Sequence, residues 1–236
     1  MTRLLIHVEG ETEETFVNQI LRDHLVEKGF HLVSARIIGN SRLRDRRGGI
    51  RGWDSVRRDI LMHLKEDVSA YATTMVDFYG LPKLGSGAWP GRSAAATQPM
   101  AQKATTVQIA LAADIKQHMG DGFDERRFIP FVIMHEFEGL LFSDCAAFSR
   151  GVGRPDLQPA FQGIRDCFNS PEEINDSPTT APSKRILNLI PNYEKPLLGT
   201  LAISEVTLGR VRAECPNFNQ WIATLEMLPP RRDVAA

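Results

Sequence analysis

The feature of this sequence that most constrains its fold is the alternation of short apolar runs with segments of helical periodicity across residues 3–134. The apolar runs are typical of buried strands and lie at residues 3–8, 31–38, 71–77 and 127–134. Between them, apolar side chains recur every three or four positions, which predicts helices starting near Thr12, Asp54 and Thr105. This alternation predicts an α/β fold with a mostly parallel, four-stranded sheet flanked by helices.

The rest of the chain, residues 146–236, favours helices and irregular structure. The segment "APSKRI" places Pro182 at the predicted start of a helix, and "GTLAISEVTLGRVRAECPNFNQWIATLEML" predicts two more helices divided at Pro216. No abrupt change in composition marks a linker before these segments. We therefore predict an α/β domain over residues 1–145 and a helical C-terminal appendage, residues 146–236, packed on it.

Composition excludes several classes of protein. The 236 residues are 42% hydrophobic, enough to fill a core, and the net charge of -1 provides no overall attraction to nucleic acid or anionic lipid. No apolar run approaches the ~20 residues that span a bilayer and the N-terminus lacks a signal-peptide pattern, so we expect a cytoplasmic protein without a membrane partner. The three separated cysteines predict neither disulfides nor a zinc site, and no Walker A motif is present.

Acidic residues follow three of the four predicted strands. Glu9 ends the first, Asp77 ends the third, and Glu136 and Glu138 follow the fourth. Because the carboxyl ends of parallel strands meet at one edge of a sheet, these side chains are predicted to converge there. Carboxylates gathered in one place repel each other unless a cation neutralises them, and oxygen-rich sites of this kind suit Mg²⁺ or Mn²⁺.

Each acidic residue also has a structural interpretation. Glu11, Glu13 and Glu14 are explained by the preference of helix N-termini for negative charge, and we assign them to that cause. Asp77 could cap the loop after its strand, and Glu138 could be solvated on a helix. Glu9 differs, because a carboxylate that closes a buried apolar strand is costly without a partner.

A second candidate feature is the basic segment "NSRLRDRRGGIRGWDSVRR". It contains seven arginines: Arg42, Arg44, Arg46, Arg47, Arg51, Arg57 and Arg58. Such a segment can follow a phosphate backbone, with Trp53 beside it to stack on a base. A solvated loop or a docking surface for an acidic partner explains it equally well. Lys184 and Arg185, at the predicted helix start in "APSKRI", form a weaker candidate site for phosphate.

These motifs together resemble a known family. The segments "VEGETEETF" and "MVDFYGLP", in this strand and helix order, resemble the Toprim domain of topoisomerases, primases and overcoming-lysogenization-defect (OLD) type nucleases. With "HEFEGLLFSD", "INDSPTTAPSKRI" and "CPNFNQWI", the chain is more narrowly similar to a group of small bacterial Toprim-like proteins found beside ATPases in phage-defence loci. The Toprim resemblance covers about residues 3–145.

The resemblance implies roles for individual residues. Glu9 is the implied general acid/base or metal-linked glutamate, and Asp77 is an implied metal ligand. Toprim domains carry an Asp-x-Asp pattern, whereas this chain has Tyr79 at the second position. Two-metal catalysis therefore requires Glu136 or Glu138 to supply the missing oxygen ligand.

The first hypothesis is a Mg²⁺-dependent phosphodiesterase, an endonuclease on DNA or RNA that acts as the effector of an antiphage system. Glu9 and Asp77 would be catalytic, Glu9, Asp77, Glu136 and Glu138 would hold the metal, and the arginine-rich segment would hold nucleic acid. The alternative is a non-catalytic Toprim-like subunit that binds and regulates an ABC-type ATPase partner. Hydrolysis of a small phosphate ester, and assembly into a homo-oligomer, both stay open.

Overall fold

The sheet consists of parallel strands in the order β2-β1-β3, with two short strands following on the other side of β3. The computed structural model describes residues 2–38, 50–174 and 179–228. Its strands are β1 (Arg3–Val8), β2 (Leu32–Ile37), β3 (Ala70–Asp77), β4 (Phe128–Ile129) and β5 (Val132–Ile133). The predicted mostly parallel α/β architecture is confirmed.

The predicted fourth strand is divided in two. Both β4 and β5 pair in parallel with β3, but residues 130 and 131 between them leave the ladder. Pro130 has no backbone N–H to contribute. Phe131 exchanges hydrogen bonds with a side chain instead, because its N–H donates to Thr74 Oγ1 at 3.0 Å and its carbonyl accepts from the same hydroxyl at 2.9 Å. A threonine side chain thus replaces backbone pairing at this point.

Helices cover both faces of the sheet. They are α1 (Glu11–Phe16), α2 (Arg22–Glu27), α3 (Trp53–Glu66), α4 (Arg92–Ala95), α5 (Met100–Met119), α6 (Cys145–Gly151), α7 (Gln158–Arg165), α8 (Pro182–Leu189), α9 (Lys195–Val206), α10 (Leu208–Glu214) and α11 (Pro216–Glu226). The predicted division at Pro216 is confirmed, and a further break occurs at Thr207, which has a positive φ of 69°.

The first helical segment begins earlier than predicted. A helix was predicted to start near Thr12, whereas α1 starts at Glu11 and Gly10 is its N-terminal cap residue. A π-helical turn at Val17–Leu21 joins α1 to α2. Glu13 lies in the first turn of α1, four residues after Glu9.

Alternate residues of β3 belong to two separate apolar clusters. Tyr71 and Met75 pack into the cluster that contains the side chains of α1 and of the C-terminal helices, whereas Ala72 and Val76 pack against α3 and α5. In the first cluster, Trp221 of α11 stacks on Phe131 with ring centroids 4.4 Å apart. One core therefore includes residues from both sides of the predicted boundary at residue 145, and that boundary stays a prediction.

The Gly/Pro-rich segment after β3, for which no regular structure is predicted, contains a 3-10 turn at Phe78–Gly80 and the short helix α4. It is anchored to the start of α3. Trp89 Nε1 donates to the carbonyl of Arg51 at 3.0 Å, and the N–H of Trp53 donates to the carbonyl of Gly87 at 3.3 Å.

Among the described residues, no helix is long and apolar enough to cross a membrane.

Candidate functional site

Glu9 and Asp77 meet at the carboxyl edge of the sheet. Val8, the last residue of β1, pairs with Met75, so Glu9 after β1 and Asp77 at the end of β3 lie close together. Glu9 Oε2 accepts a hydrogen bond from the backbone N–H of Asp77 at 3.2 Å. The parallel arrangement thus brings together two carboxylates separated by 67 residues of sequence.

Glu138 joins them from the segment after β5. It lies in a 3-10 helical segment, Phe137–Ser143, and is fully buried. This segment is tied to β3, because Asp77 Oδ1 accepts a hydrogen bond from the N–H of Phe137 at 3.0 Å. Glu138 is therefore buried, and the interpretation that it is solvated on a helix is wrong.

Glu13 is a member of the site that the sequence interpretation missed. It was assigned to helix-end electrostatics with Glu11 and Glu14, but its side chain is only 2% exposed and points to the same group of carboxylates. Its position in the first turn of α1, four residues after Glu9, is the one signal in the sequence that could have identified it.

Lys195, the first residue of α9, lies between these acidic side chains. Its Nζ is 3.1 Å from Glu138 Oε2, 3.7 Å from Glu13 Oε1 and 3.7 Å from Asp77 Oδ2. The lysine side chain is 39% exposed, so the group opens to solvent at this point. We call this group the carboxylate–lysine cluster: Glu9, Glu13, Asp77, Glu138 and Lys195.

Burial and crowding disfavour the ionised form of these acids. Burial raises the pKa of Glu9 to about 7, with the Glu13 carboxylate adding to the shift. Burial likewise raises the pKa of Asp77 well above its usual range, although Lys195 opposes that shift. The pKa of Glu138 is raised by burial as well. The ammonium group of Lys195 is thus not enough to compensate the negative charge of four carboxylates in one site.

The electrostatics of Lys195 are set by the same neighbours. Burial acts to lower its pKa, but the carboxylates of Glu138, Asp77 and Glu13 outweigh burial and raise the pKa well above the usual value. Lys195 therefore carries a positive charge at neutral pH.

Several polar atoms at the cluster accept or donate no hydrogen bond within the described part of the chain. They are Glu13 Oε1, Glu138 Oε1 and the hydroxyl of Tyr193. Tyr193 is buried, and its pKa is raised by burial and by the nearby Glu138 carboxylate. Unpartnered buried oxygens are costly, so these atoms are suited to a ligand that the cluster can take up.

Glu136 makes a different contact from the carboxylates of the cluster. Its Oε2 accepts a hydrogen bond from the backbone N–H of Ser183 at 2.9 Å, in the first turn of α8. This carboxylate occupies the place at the helix N-terminus where a phosphate was expected to bind beside Lys184 and Arg185. Arg185 is also engaged, since its Nε donates to the carbonyl of Thr180 at 2.8 Å.

Most of the arginine-rich segment, including Arg42, Arg44, Arg46 and Arg47, lies outside the described residues. The preceding strand, β2, ends at the edge where the cluster lies, because Ile37 pairs with Val8. Farther along, Arg57 bonds to Asp54 at 2.8 Å and lies 3.4 Å from an oxygen of Asp114.

Tyr79, which stands where an Asp-x-Asp pattern would have its second aspartate, is 38% exposed. Its backbone N–H donates to the carbonyl of His135 at 3.3 Å, and His135 has a positive φ of 66°. Residue 79 contributes no carboxylate to this edge, and Glu13 and Glu138 provide the additional acidic groups instead.

The donor set fits a hard divalent cation, although the described residues hold no preformed triad of acidic, histidine or cysteine side chains ready to coordinate one. Every candidate ligand in the cluster is a carboxylate oxygen, the type that Mg²⁺ and Mn²⁺ prefer. The space between three of these carboxylates is taken by the Lys195 ammonium group. The predicted metal site thus stays a prediction, with Glu13 added to its candidate ligands.

Comparison with known proteins identifies one family. The family model described as Domain of unknown function (DUF4276) matches residues 8–226. The C-terminal region of the Xanthomonas campestris pv. campestris OLD protein is similar at 14% sequence identity, with 96% of this chain and 95% of that chain covered and a TM-score of 0.44. None of the curated proteins matches. Sequence thus identifies the family, whereas the chemistry has to be inferred from the geometry of the site.

Proposed function

This chain belongs to the DUF4276 family, and we propose that it is a divalent-cation-dependent phosphodiester hydrolase. The observation that carries the proposal is the convergence of four carboxylates from four different segments on one edge of the parallel sheet. A structural role alone does not explain such a group, since burying several like charges is unfavourable.

The cation would be held by Glu9, Glu13, Asp77 and Glu138. Asp77 and Glu9 are oriented by backbone N–H groups, whereas Glu13 and Glu138 keep an oxygen without a hydrogen bond in the described structure. When bound, Mg²⁺ or Mn²⁺ neutralises charge on a phosphate and makes water a better nucleophile. Glu9, beside the exposed Gly80, is the carboxylate best placed to orient an attacking water.

We favour a nucleic acid, DNA or RNA, as the substrate. β2, after which the arginine-rich segment follows in the sequence, ends at the same edge of the sheet as β1, which Glu9 follows. Arg51, the described arginine of the segment before α3, lies two residues before that helix begins. Arginine binds phosphate groups in a bidentate manner and is the residue expected along a nucleic-acid backbone. The Toprim-like motifs at Glu9 and Asp77 support the same chemistry. We also propose that the protein acts as the effector of an antiphage system and has an ATPase partner.

The second candidate is a non-catalytic subunit that regulates an ATPase partner. It is favoured by one observation, the Lys195 ammonium group that already neutralises part of the cluster. Under this candidate, Glu9→Gln leaves the biological function intact, and charge reversal at Arg51 and its basic neighbours breaks the complex.

Calorimetric titration of Mn²⁺ and Mg²⁺ into the purified protein tests the first candidate directly. We expect binding at millimolar or lower concentration in the wild type and its loss or strong reduction in Asp77→Asn and Glu9→Gln. Asp121→Asn, at an exposed position in the turn between α5 and β4, is the matched control and should bind as the wild type does. Cleavage of DNA and RNA is then assayed with the same variants and cations.

The absence of any divalent binding up to about 10 mM, a concentration well above ordinary affinities for such sites, contradicts the proposal. Binding that is equal in all four proteins also contradicts it, because the ion would then be held elsewhere.

A further inference from the structure

The position of Lys195 bears on how the cluster takes up a cation. Its ammonium group contacts carboxylates from three separate elements: α1, β3 and the segment after β5. The three oxygens it contacts are therefore arranged around a single positive charge that the chain itself provides.

A divalent ion needs these same oxygens. Mg²⁺ is coordinated at about 2.1 Å, much closer than the 3.1 to 3.7 Å that separates Lys195 Nζ from the carboxylates. An ammonium group between the oxygens blocks that approach, and two cations in one small site repel each other. The two positive groups cannot share the centre of the cluster.

We propose that Lys195 is a tethered cation that competes with the divalent ion, so that metal binding displaces its ammonium group toward solvent. This inference rests on the proposed function, since it assigns a role to Lys195 in that same site. The lysine thereby sets the metal affinity of the cluster and prevents the carboxylates from repelling each other when no metal is bound.

The local structure permits this exchange. Lys195 is the first residue of α9 and its side chain is 39% exposed, so the flexible four-carbon stem can turn outward without movement of the helix. The helix itself is fixed farther along. A side chain at Gly199 would lie 3.2 Å from Thr12 Cγ2, and one at Gly151 would lie 2.6 Å from Ala202 Cα, so α9 packs closely against α1 and α6.

The unpartnered oxygens indicate a ligand independently of the charge. Glu138 is fully buried, yet its Oε1 accepts no hydrogen bond from the described residues, and the buried hydroxyl of Tyr193 is likewise without a partner there. One lysine with three protons does not satisfy this set of oxygens. A cation with six ligand positions can satisfy more of them.

Mn²⁺ titration of Lys195→Met tests the proposal. Without the competing charge, we expect the variant to bind Mn²⁺ at least about tenfold more tightly than the wild type, by calorimetry. Lys28→Met, at the exposed C-terminal cap residue of α2, is the matched control and should bind like the wild type. Equal or weaker binding in Lys195→Met overturns the inference while leaving the proposed function standing.

A measurement on the wild type covers the case in which Lys195→Met does not fold. Saturating Mg²⁺ should increase acylation of Lys195 by an amine-reactive reagent, measured by mass spectrometry, and leave acylation of Lys28 unchanged. Unchanged or reduced acylation of Lys195 at saturating Mg²⁺ overturns the exchange. Failure of both the wild type and the variant to bind any divalent ion contradicts the proposed function itself.

Discussion

At the edge of the sheet, the four carboxylates are held in two different ways. Glu9 and Asp77 each accept a backbone hydrogen bond, which fixes their orientation whatever cation is present. Glu13 and Glu138 are held through their ion pairs with Lys195. The first two are therefore the preorganised part of the site, and the other two adapt when the cation changes.

Gly80 is the residue whose replacement tests the position of Glu9 most directly. A Cβ at this position would lie 3.1 and 3.3 Å from the two carboxylate oxygens of Glu9, closer than ordinary packing allows. Gly80→Ala should displace the carboxylate by a few tenths of an ångström and weaken Mn²⁺ binding about tenfold, or about 1.4 kcal/mol. Isothermal calorimetry measures the change.

The control for that substitution is Gly122→Ala, at an exposed site where a Cβ meets nothing within 4 Å. It should leave Mn²⁺ affinity and thermal stability unchanged. If both alanine variants bind Mn²⁺ like the wild type, Glu9 is not a ligand.

Glu136 and Glu138, two residues apart, are expected to respond differently to the same change. Glu138→Gln removes a carboxylate that contacts Lys195 and should weaken Mn²⁺ binding strongly. Glu136→Gln removes the charge that faces the N-terminus of α8 and should instead cost about 0.3–1 kcal/mol of stability. Urea unfolding and calorimetry on both variants distinguish the roles, and loss of metal affinity in Glu136→Gln would return it to the site.

The sequence was sufficient to place some of these residues. Glu9, Asp77 and Glu138 follow strands, and parallel pairing brings strand ends together whatever the intervening segments are. Lys195 carries no such signal, since it reaches the cluster only through the packing of α9 on α1, across more than 180 residues of sequence. The hydrogen bond from the N–H of Ser183 in α8 to Glu136 could not be predicted either, because it also depends on the packing of segments far apart in the sequence.

At the scale of elements, the crossing of α6 and α9 determines where Lys195 lies. A Cβ at Gly151 would lie 2.6 Å from Ala202 Cα and 2.9 Å from the carbonyl oxygen of Leu201, and backbone atoms cannot move aside as side chains can. Gly151→Ala should force the helices apart and lower the free energy of unfolding by about 1–3 kcal/mol. Urea denaturation measures this loss.

Gly163→Ala provides the comparison, because this glycine lies on an exposed face of α7 with open space around a Cβ. Alanine is the better helix former, so this variant should gain about 0.5–1 kcal/mol. Equal stability of the two variants would show that α6 and α9 can separate at no cost.

Regular apolar periodicity predicted α3 and α5 as helices, although α5 begins at Met100, before the predicted start near Thr105. The fourth strand was predicted as continuous because residues 128–134 are all apolar. Its interruption coincides with Pro130, which has no N–H and is visible in the sequence, and with Thr74 on a different strand, whose hydroxyl bonds both the N–H and the carbonyl of Phe131. Pro130 could have indicated the break, whereas the pattern within one segment contains no information about the role of Thr74.

For the whole molecule, the C-terminal helices complete the core on one face of the sheet. The Trp221 ring stacks on Phe131, and its Nε1 donates to Thr73 Oγ1 of β3 at 3.0 Å. Composition does not show that the α/β part of the chain depends on the C-terminal helices for its core. An apolar helix that packs on the outside of a domain and one that belongs to its core have the same sequence pattern.

Trp221→Ala tests whether the two parts of the chain unfold together. The substitution removes a buried aromatic side chain and should lower the free energy of unfolding by about 3–5 kcal/mol. Because Trp221 contacts the central strand, hydrogen exchange should accelerate in α3 and α5, on the opposite face of the sheet, as well as in α11. Met227→Ala, at a side chain that is 72% exposed, should change stability by less than about 0.5 kcal/mol.

Acceleration confined to residues 146–228 in Trp221→Ala would indicate an independent appendage instead. In that case α9 could leave the sheet while the strands stay folded, and Lys195 would leave the cluster with it. If both parts of the chain unfold together, α9 cannot leave the sheet on its own. The lysine and the strand-end carboxylates would then be held by one core, and an exchange of Lys195 for a metal ion would be confined to the lysine side chain.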